Sequence, residues 1–170
     1  MSSIVISGDT SGAITLAAPS VAGTNTATLP AAAGTVMVSG NMPTFSYYQS
    51  SAQTLSTGVA TKLTFTSSDW DTTGGMYSSS RFTPTVAGYY QINCGFQAAS
   101  SVDNQLYIYK NGSVFYQGQE STTAGSSLSS LVYCNGSTDY IEIYAYVGTT
   151  GTCATGATKT WFNGCLMRSA

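Results

Sequence analysis

Histidine is absent from this chain of 170 residues, and charged side chains are scarce. Five Lys and Arg residues and seven Asp and Glu residues give a net charge of −2 at pH 7. Without histidine the chain lacks the commonest general base of enzymes, and five scattered cations do not form the basic cluster that neutralises nucleic-acid phosphates. No stretch approaches the run of about 20 apolar residues that spans a membrane. We therefore expect neither a nucleic-acid partner nor a membrane partner.

Candidate catalytic groups are equally sparse. The many Ser and Thr residues have no basic partner that would activate them as nucleophiles. One pair of carboxylates is close in sequence, Asp69 and Asp71, and on a strand both would point the same way, as in a glycosidase pair or a metal site. The same residues also fit a solvated loop before Thr72, and we favour this interpretation. The sequence thus predicts no catalytic residue, no metal site and no cofactor, and a protein that is not an enzyme.

The cysteines indicate buried thiols and not a zinc site. They form no Cys-x-x-Cys pair, and no histidine is present as a further ligand. The start of the chain has neither a basic region nor a long apolar run, so it does not resemble a secretory signal, and a reducing cytosol is the expected place of folding. Cys94 alternates onto the same face as Ile92 and Phe96. We therefore expect that not all of the cysteines are paired; they are Cys94, Cys134, Cys153 and Cys165.

The composition favours an all-β fold. Hydrophobic residues make up 42% of the chain and aromatic residues 12%, so a core can form. Thr and Tyr suit strands, whereas the Glu, Lys and Leu of solvated helices are scarce. Residues 88–97 and 140–147 alternate with a period of two, and Asn111-Gly112 between two such segments is a strong hairpin signal. Many short strands joined by Gly-rich turns predict a β-sandwich or jelly roll.

Residues 1–40 differ from the remainder of the chain. They contain no aromatic residue and one charge, Asp9, and their short apolar patches are separated by Gly, Ser, Pro and Asn. Such patches are too small for an independent core, but three copies wrapped together, or a docking partner, would cover them. Residues 39–43 have the composition of a linker. We therefore predict an attachment module at 1–40 and a head at 41–170. The predicted attachment residues are Ile4, Ile6, Ile14, Leu16, Leu29, Val36 and Val38.

Residues 44–168 carry landmarks whose order and spacing match a known family. The landmarks are Phe45-Ser46, Gly75 to Tyr77, Arg81 to Pro84, Ala87 to Tyr90, Leu106 to Gly112, Asp139 to Ile141 and Phe162 to Leu166. Together they resemble the globular head of complement-type proteins, which shares its jelly roll with the tumour-necrosis-factor family. The resemblance implies an all-β, two-sheet jelly roll that assembles as a compact trimer. The chain lacks a collagen-like stalk and clear counterparts of the acidic residues that carry calcium in some members, so we do not carry over the animal functions.

The resemblance also assigns the aromatic strands to two surfaces. Strands that the family turns toward the three-fold axis would bring the following residues into the trimer interface: Phe45, Tyr47, Tyr48, Tyr89, Tyr133 and Trp161. Aromatic residues are enriched in such interfaces. Strands that the family places outside carry Tyr107, Tyr109, Tyr144 and Tyr146. For these four we expect an ordinary amphipathic surface, with contact to a sugar as the alternative.

Residues 10–38 resemble a different element, a short β module common in fibre and decoration proteins of tailed bacteriophages. The matching segments are 11–19, 22–30 and 34–37, and a C-terminal head often follows this module. The pair favours a non-enzymatic, homotrimeric virion protein of a bacteriophage: a capsid decoration or cement protein (head fibre) whose N-terminal segment binds the major capsid protein or another virion protein. The alternative is a short tail fibre or adhesin tip that binds a host surface glycan. In both cases the expected location is the virion, assembled in the host cytoplasm.

Overall fold

A computed structural model describes residues 3–21, 23–28, 31, 33–34, 36–100 and 103–170. The contacts between backbone positions divide the chain into two units, Met1–Gly34 and Thr35–Ala170, so the division falls a few residues before the predicted boundary at residue 40. The predicted attachment residue Leu29 lies outside the described residues. In the part of the chain that is described, no helix combines the length and the apolar character that a membrane crossing requires.

The described part of the N-terminal unit contains a β-hairpin. Its antiparallel strands are β1 (Ser3–Ser7) and β2 (Ala13–Ala17). The turn closes with a hydrogen bond of 3.0 Å from the Gly8 backbone N–H to the Gly12 carbonyl oxygen. Gly12 has a φ of +79°, which favours glycine there. Every described residue of this unit is exposed to solvent, so these residues form no buried core within one chain.

The head begins with a turn of 3-10 helix at Ser39–Asn41 and is otherwise built from strands. The strands are β3 (Thr44–Tyr48), β4 (Thr54–Leu55), β5 (Thr61–Lys62), β6 (Ser67–Asp71), β7 (Tyr77–Ser78), β8 (Arg81–Phe82), β9 (Gly88–Gln97), β10 (Asn104–Lys110), β11 (Ser113–Gln117), β12 (Gly125–Cys134), β13 (Ile141–Val147), β14 (Gly151–Thr152) and β15 (Trp161–Ser169).

These strands form two main antiparallel sheets that enclose the core. The first has five strands in the order β12-β9-β15-β3-β6, and the second has the order β11-β10-β13-β8-β7, with β5 also pairing with β13. The short strands β4 and β14 pair with each other beside them. Sequence neighbours are often separated in the sheets, as in a jelly roll. The all-β jelly roll predicted from the sequence is therefore confirmed.

The core follows from the alternation of apolar residues along the long strands. Ile92 and Cys94 of β9 and Ile141 and Ile143 of β13 are fully buried, because side chains two residues apart on a strand point to the same side. Burial of an Ile side chain stabilises the fold by about 1.5–3 kcal/mol. The alternation with a period of two that the sequence predicts for both strands places these four residues in the core.

An aromatic cluster fills one part of the core. The ring of Phe45 lies 4.6 Å from that of Phe82 and 4.9 Å from that of Phe162, the latter edge-on. Edge-on and tilted ring pairs contribute about 0.5–1.5 kcal/mol beyond the burial of their area. Phe45 comes from the start of the head and Phe162 from its last strand, so this cluster joins the two ends of the head sequence.

The structure corrects the loop predicted at Asp69 and Asp71. Both residues lie in strand β6, which pairs with β3 and has an irregular register next to Ser46. Asp69 accepts a hydrogen bond of 3.0 Å from Ser46, and Asp71 accepts one of 2.7 Å from Tyr47. Because Ser46 and Tyr47 are neighbours on a strand, their side chains lie on opposite sides of the sheet. The bulge therefore separates the two carboxylates, which on a regular strand would point the same way.

Candidate functional site

The five-stranded sheet has one side in the core and one side open to solvent, called the outer face. On β9, Ile92 and Cys94 are buried, so Gln91, Asn93 and Gly95 point outward. Directly opposed residues of antiparallel strands share a side of the sheet. The register places residues of β15 beside them: Trp161 opposite Gly95, Asn163 opposite Asn93 and Cys165 opposite Gln91. The centre of the outer face is therefore uncharged.

A chain of hydrogen bonds crosses the middle of the outer face. Gln91 Nε2 donates to Ser129 Oγ at 2.8 Å, and Ser129 Oγ donates to Asn93 Oδ1 at 2.7 Å. Asn93 Nδ2 in turn donates to Asn163 Oδ1 at 3.0 Å. The four side chains bond one another across three strands, so part of their hydrogen-bonding capacity is already satisfied within the subunit. This lowers the cost of covering them with another protein surface.

Trp161 lies flat over Gly95 beside this chain of polar groups. A β-carbon at position 95 would approach the Trp161 indole to 2.5 Å, so the absence of a side chain at Gly95 permits the indole to rest on the sheet. A shallow hollow of about 400 Å³ lies on the side of Asn93 and Asn163. A second hollow of about 310 Å³ lies on the side of Lys159. The half-buried indole therefore lies between the two hollows.

One edge of the outer face carries exposed apolar residues. On β12, Leu131 is 51% exposed, and the ring of Tyr133 lies 5.3 Å from that of Tyr89 on β9. Lys110 reaches this edge from the second sheet, where its Nζ donates to the Tyr133 carbonyl oxygen at 2.7 Å and pairs with Asp139 at 2.9 Å. The lysine charge is therefore neutralised, and the edge remains apolar.

The opposite edge of the outer face carries Trp70. This residue of β6 lies opposite Ser46 of β3, is about half exposed, and donates from Nε1 to Thr44 Oγ1 at 3.4 Å. The outer face therefore has a group of exposed apolar residues at one edge and the exposed Trp70 at the other, with an uncharged and hydrogen-bonded centre between them.

The structure divides the predicted trimer-interface residues into two groups. Tyr48, Tyr89, Tyr133 and Trp161 all lie on the outer face, by the register of their strands. Phe45 is only 1% exposed because its ring packs inside the core of its own subunit, so its side chain offers no surface to a partner. This assignment of Phe45 is corrected.

Tyr47 also belongs to the core side of the sheet. It follows the period of two from Phe45, its ring stacks on Tyr77 at 3.6 Å, and its hydroxyl donates to Asp71 at 2.7 Å. Burial, helped by the neighbouring Asp71 carboxylate, raises the pKa of Tyr47 to about 12. Neighbouring residues on a strand cannot both face outward, so only Tyr48 remains available for a contact on the outer face.

Two prominent residues of the outer face were not predicted from the sequence. Leu131 precedes the buried Val132, so alternation from Val132 and Cys134 would have placed it outward with Tyr133. Trp70 lies between the two aspartates, and no pattern in the sequence indicates the bulge that directs it toward Ser46.

The predicted attachment residues are exposed wherever the structure describes them. In the hairpin, more than half of each side chain is accessible: Ile4, Ile6, Ile14 and Leu16. Val36 and Val38 are also exposed, whereas Met37 between them packs against the core of the head. The segment around Met37 is thus anchored to the head and presents its two valines to solvent.

The tyrosines of the second sheet form a separate surface. The rings of Tyr109 and Tyr144 stack at 3.9 Å, and Tyr107 meets Tyr109 edge-on at 6.3 Å. Tyr109 and Tyr144 each use one ring face for this contact, and that face is unavailable to a sugar. The arrangement favours the amphipathic surface over the glycan site.

An ion cluster lies on the same surface. Glu142 is 3% exposed, and its Oε1 pairs with Lys62 at 2.7 Å and Arg81 at 2.9 Å. Arg81 also lies over the ring of Tyr140. Burial alone would raise the pKa of Glu142, but the hydrogen bonds and charges of the two cations outweigh it and leave the pKa below its ordinary value. The cluster is a structural ion pair and not a reactive acid.

The reactive groups in the described part of the chain form no catalytic constellation. All four cysteines are unpaired, and burial raises the pKa of Cys94 to about 12 and that of Cys153 to about 11. These thiols are therefore protonated near neutral pH and are poor nucleophiles and metal ligands. Among the residues that the structure describes, no three His, Cys, Asp or Glu side chains are grouped as a metal site.

Comparison with known proteins identifies the fold. No protein-family model matches the chain, and no curated protein is similar to it in sequence. The globular domain of zebrafish complement 1qA protein aligns at 15% identity over 76% of this chain and 100% of that chain, with a TM-score of 0.55. Eiger TNF from S. frugiperda aligns at 8% identity over 76% and 94% of the two chains, also with a TM-score of 0.55.

The vertex protein P5 of PRD1 aligns at 16% identity over 74% of this chain and 97% of that chain, but its TM-score of 0.48 is too low to support a conclusion. At such identities similarity establishes the fold alone. The head of this chain has the jelly-roll fold of the complement and tumour-necrosis-factor type, as its sequence landmarks predict.

Proposed function

We propose that this chain is a non-enzymatic decoration or cement protein of a bacteriophage virion, which assembles as a homotrimer through the outer face and is attached by its N-terminal segment. The observation that carries the trimer is the outer face itself. It has exposed apolar side chains at both edges, Leu131 with Tyr89 and Tyr133 at one edge and Trp70 at the other, and an uncharged centre. Exposed apolar patches of this kind mark protein interaction sites.

The position of the two patches favours a ring of copies. Leu131 and Trp70 lie on strands at opposite edges of the same sheet. In a ring of copies, the exposed residues at one edge would meet those at the other edge of the next copy. Such head-to-tail contacts close into a cyclic oligomer when the rotation between copies permits it. The low net charge of −2 per chain keeps the repulsion between copies small.

The assignment to a virion rests on the N-terminal segment. Residues 10–38 resemble the β module of tailed-phage fibre and decoration proteins, and the described aliphatic residues of the segment are exposed. A virion protein that covers Val36, Val38 and the adjoining segment would hold the head on the particle. Imaging of purified virions tests this: many copies at three-fold positions of the capsid are expected, whereas a few copies on the tail would favour an adhesin.

The trimer is tested by a matched pair of substitutions. Leu131→Asp places a charge on the outer face, and Val59→Asp places one at a similarly exposed residue (54% against 51%) in the loop between β4 and β5. In light scattering at micromolar concentration, we expect the wild type and Val59→Asp to have three times the 17.6 kDa chain mass. Leu131→Asp should dissociate, because a buried unpaired charge is costly. A wild-type monomer, or a trimer of Leu131→Asp, would contradict the proposal.

A further inference from the structure

The N-terminal hairpin has one side of large aliphatic residues. This aliphatic side consists of two cross-strand pairs, Ile4 with Leu16 and Ile6 with Ile14. Positions two residues apart on each strand share a side, so the four side chains are adjacent. Val5 and Thr15, which oppose each other between these pairs, point to the other side.

Among the described residues of one chain, none covers the aliphatic side or the outer strand edges of the hairpin. More than half of each of the four aliphatic side chains is exposed, and a single two-stranded hairpin is marginally stable at best in water. Free strand edges are commonly protected by charged residues or proline. Neither strand contains a charged residue or a proline. A hairpin of this composition is therefore suited to a covered position with its edges paired.

We infer that the cover is the same hairpin from two other copies of the chain. Three hairpins surround a common axis with their aliphatic sides inward, and the free edge of β2 in each copy lies along the free edge of β1 in the next. This inference rests on the proposed trimer, and it assigns to the trimer a second, separate region of contact.

The direction of the strands is compatible with closure. Within one hairpin β1 and β2 are antiparallel, and a three-fold axis along the strands preserves the direction of each. The β2 strand of one copy therefore meets the β1 strand of the next in the antiparallel sense, which is the pairing that hairpins use. Six strands of alternating direction enclose the aliphatic residues of all three copies and leave no edge unpaired.

The size of the aliphatic side favours copies of the chain over a separate partner. Stable interfaces between independent proteins use about 20–30 residues on each side, whereas the two strands of the hairpin have five residues each. Copies that the head already holds together have a high effective concentration of hairpins, so a small contact suffices to order them. The absence of charge also permits identical surfaces to approach.

The inference reduces the set of residues that can contact a virion protein. Ile4, Ile6, Ile14 and Leu16 would lie inside the bundle of hairpins and would be unavailable to a capsid protein. The exposed Val36 and Val38 and the outward side of the hairpin remain for that contact.

Two neighbouring residues provide a matched test. Val5 and Ile6 are 58% and 56% exposed in one chain but point to opposite sides of the hairpin. Full-length wild type, Val5→Asp and Ile6→Asp are compared by light scattering and by amide hydrogen exchange of residues 3–17, with no virion protein present. We expect trimers and protected hairpin amides in wild type and Val5→Asp, and a loss of protection of about 100-fold or more in Ile6→Asp. An isolated hairpin would respond equally to both substitutions.

Cross-linking separates contact between copies from contact with the same chain. With a short bismaleimide, Ile6→Cys is expected to give about ten times more covalent dimer than Val5→Cys or wild type. A trimer whose wild-type hairpin exchanges freely would overturn the inference and leave the proposed trimer intact. A trimer with a protected hairpin but no excess cross-linking in Ile6→Cys would also overturn it. A wild-type monomer would contradict the proposed trimer, and the inference with it.

Discussion

Gly95 and Gly164 lie in the same sheet but face opposite sides of it, so replacing each with alanine compares the outer face with the core. A β-carbon at Gly164 would lie 2.9 Å from Cδ1 of Ile92 and 3.1 Å from Cε1 of Phe45, inside the core. A β-carbon at Gly95 would lie 2.5 Å from Nε1 of Trp161, on the outer face. Neither glycine has a positive φ, so alanine strains neither backbone. The effect of each substitution therefore comes from the neighbour that must move.

The neighbours differ in their freedom to move. Around Gly164 the core is closed, and an extra methyl group in a closed core costs about 1–3 kcal/mol of unfolding free energy. Beside Gly95 the indole of Trp161 is half-buried at the surface and can rotate away from the sheet. The unfolding free energy of one subunit should therefore change by about 0.5 kcal/mol or less. If the outer face is the trimer interface, however, the displaced indole weakens association. Loss of a central Trp contact costs about 2 kcal/mol or more, which corresponds to about 30-fold weaker binding.

Urea unfolding and a dilution series in the analytical ultracentrifuge distinguish the two effects. Gly164→Ala should lower the unfolding free energy at every protein concentration. Because the trimer has three such contacts and forms in two association steps, Gly95→Ala should shift its dissociation to a protein concentration about 100-fold higher or more. The unfolding transition of the subunit should be almost unchanged. If Gly95→Ala dissociates at the same concentration as wild type, Trp161 makes no contact between copies, and the role proposed for the outer face is refuted.

Two further predictions concern the stability of the head. The folded pKa of Glu142 lies below its ordinary value of 4.5, so its ion pairs stabilise the fold above that pH and are lost as the pH falls through the lowered pKa. In urea titrations from about pH 6 to about pH 3, the unfolding free energy of wild type should therefore fall more than that of Glu142→Gln. An equal fall in both proteins would argue against the ion pairs. Ser79, at the exposed turn between β7 and β8, has a φ of +52°, and Ser79→Gly should raise the unfolding free energy by about 0.5–1 kcal/mol. Ser80→Gly should instead destabilise, because Ser80 Oγ accepts a hydrogen bond of 2.8 Å from the Phe65 N–H; a lower melting temperature for Ser79→Gly in calorimetry would contradict this view of the turn.

Local periodicity predicted the core better than it predicted the surfaces. The inward side of β9 could be predicted because the period of two is a property of the backbone, and Ile92 and Cys94 are both apolar. The same rule, applied from Phe45, would have excluded Tyr47 from the outer face. The bulge at Asp69 could not be foreseen, because it depends on how β6 aligns with β3.

The burial of Glu142 could not be predicted from the sequence either. Its partners Lys62 and Arg81 lie 80 and 61 residues away along the chain, and only the folded sheet brings them together. An acidic residue between tyrosines has the pattern of a solvated strand, and nothing in its neighbourhood indicates that two cations will cover it.

The scarcity of charged residues reduces the electrostatic repulsion between copies of the chain. Three of the five basic residues are engaged in ion pairs with carboxylates of the same subunit: Lys62, Arg81 and Lys110. Such charges are neutralised locally, so they contribute little to long-range repulsion between copies. The surfaces that remain, the outer face and the hairpin, carry mostly hydroxyl, amide and apolar groups. If many copies lie close together on a particle, as we propose, this low charge keeps the repulsion between them small.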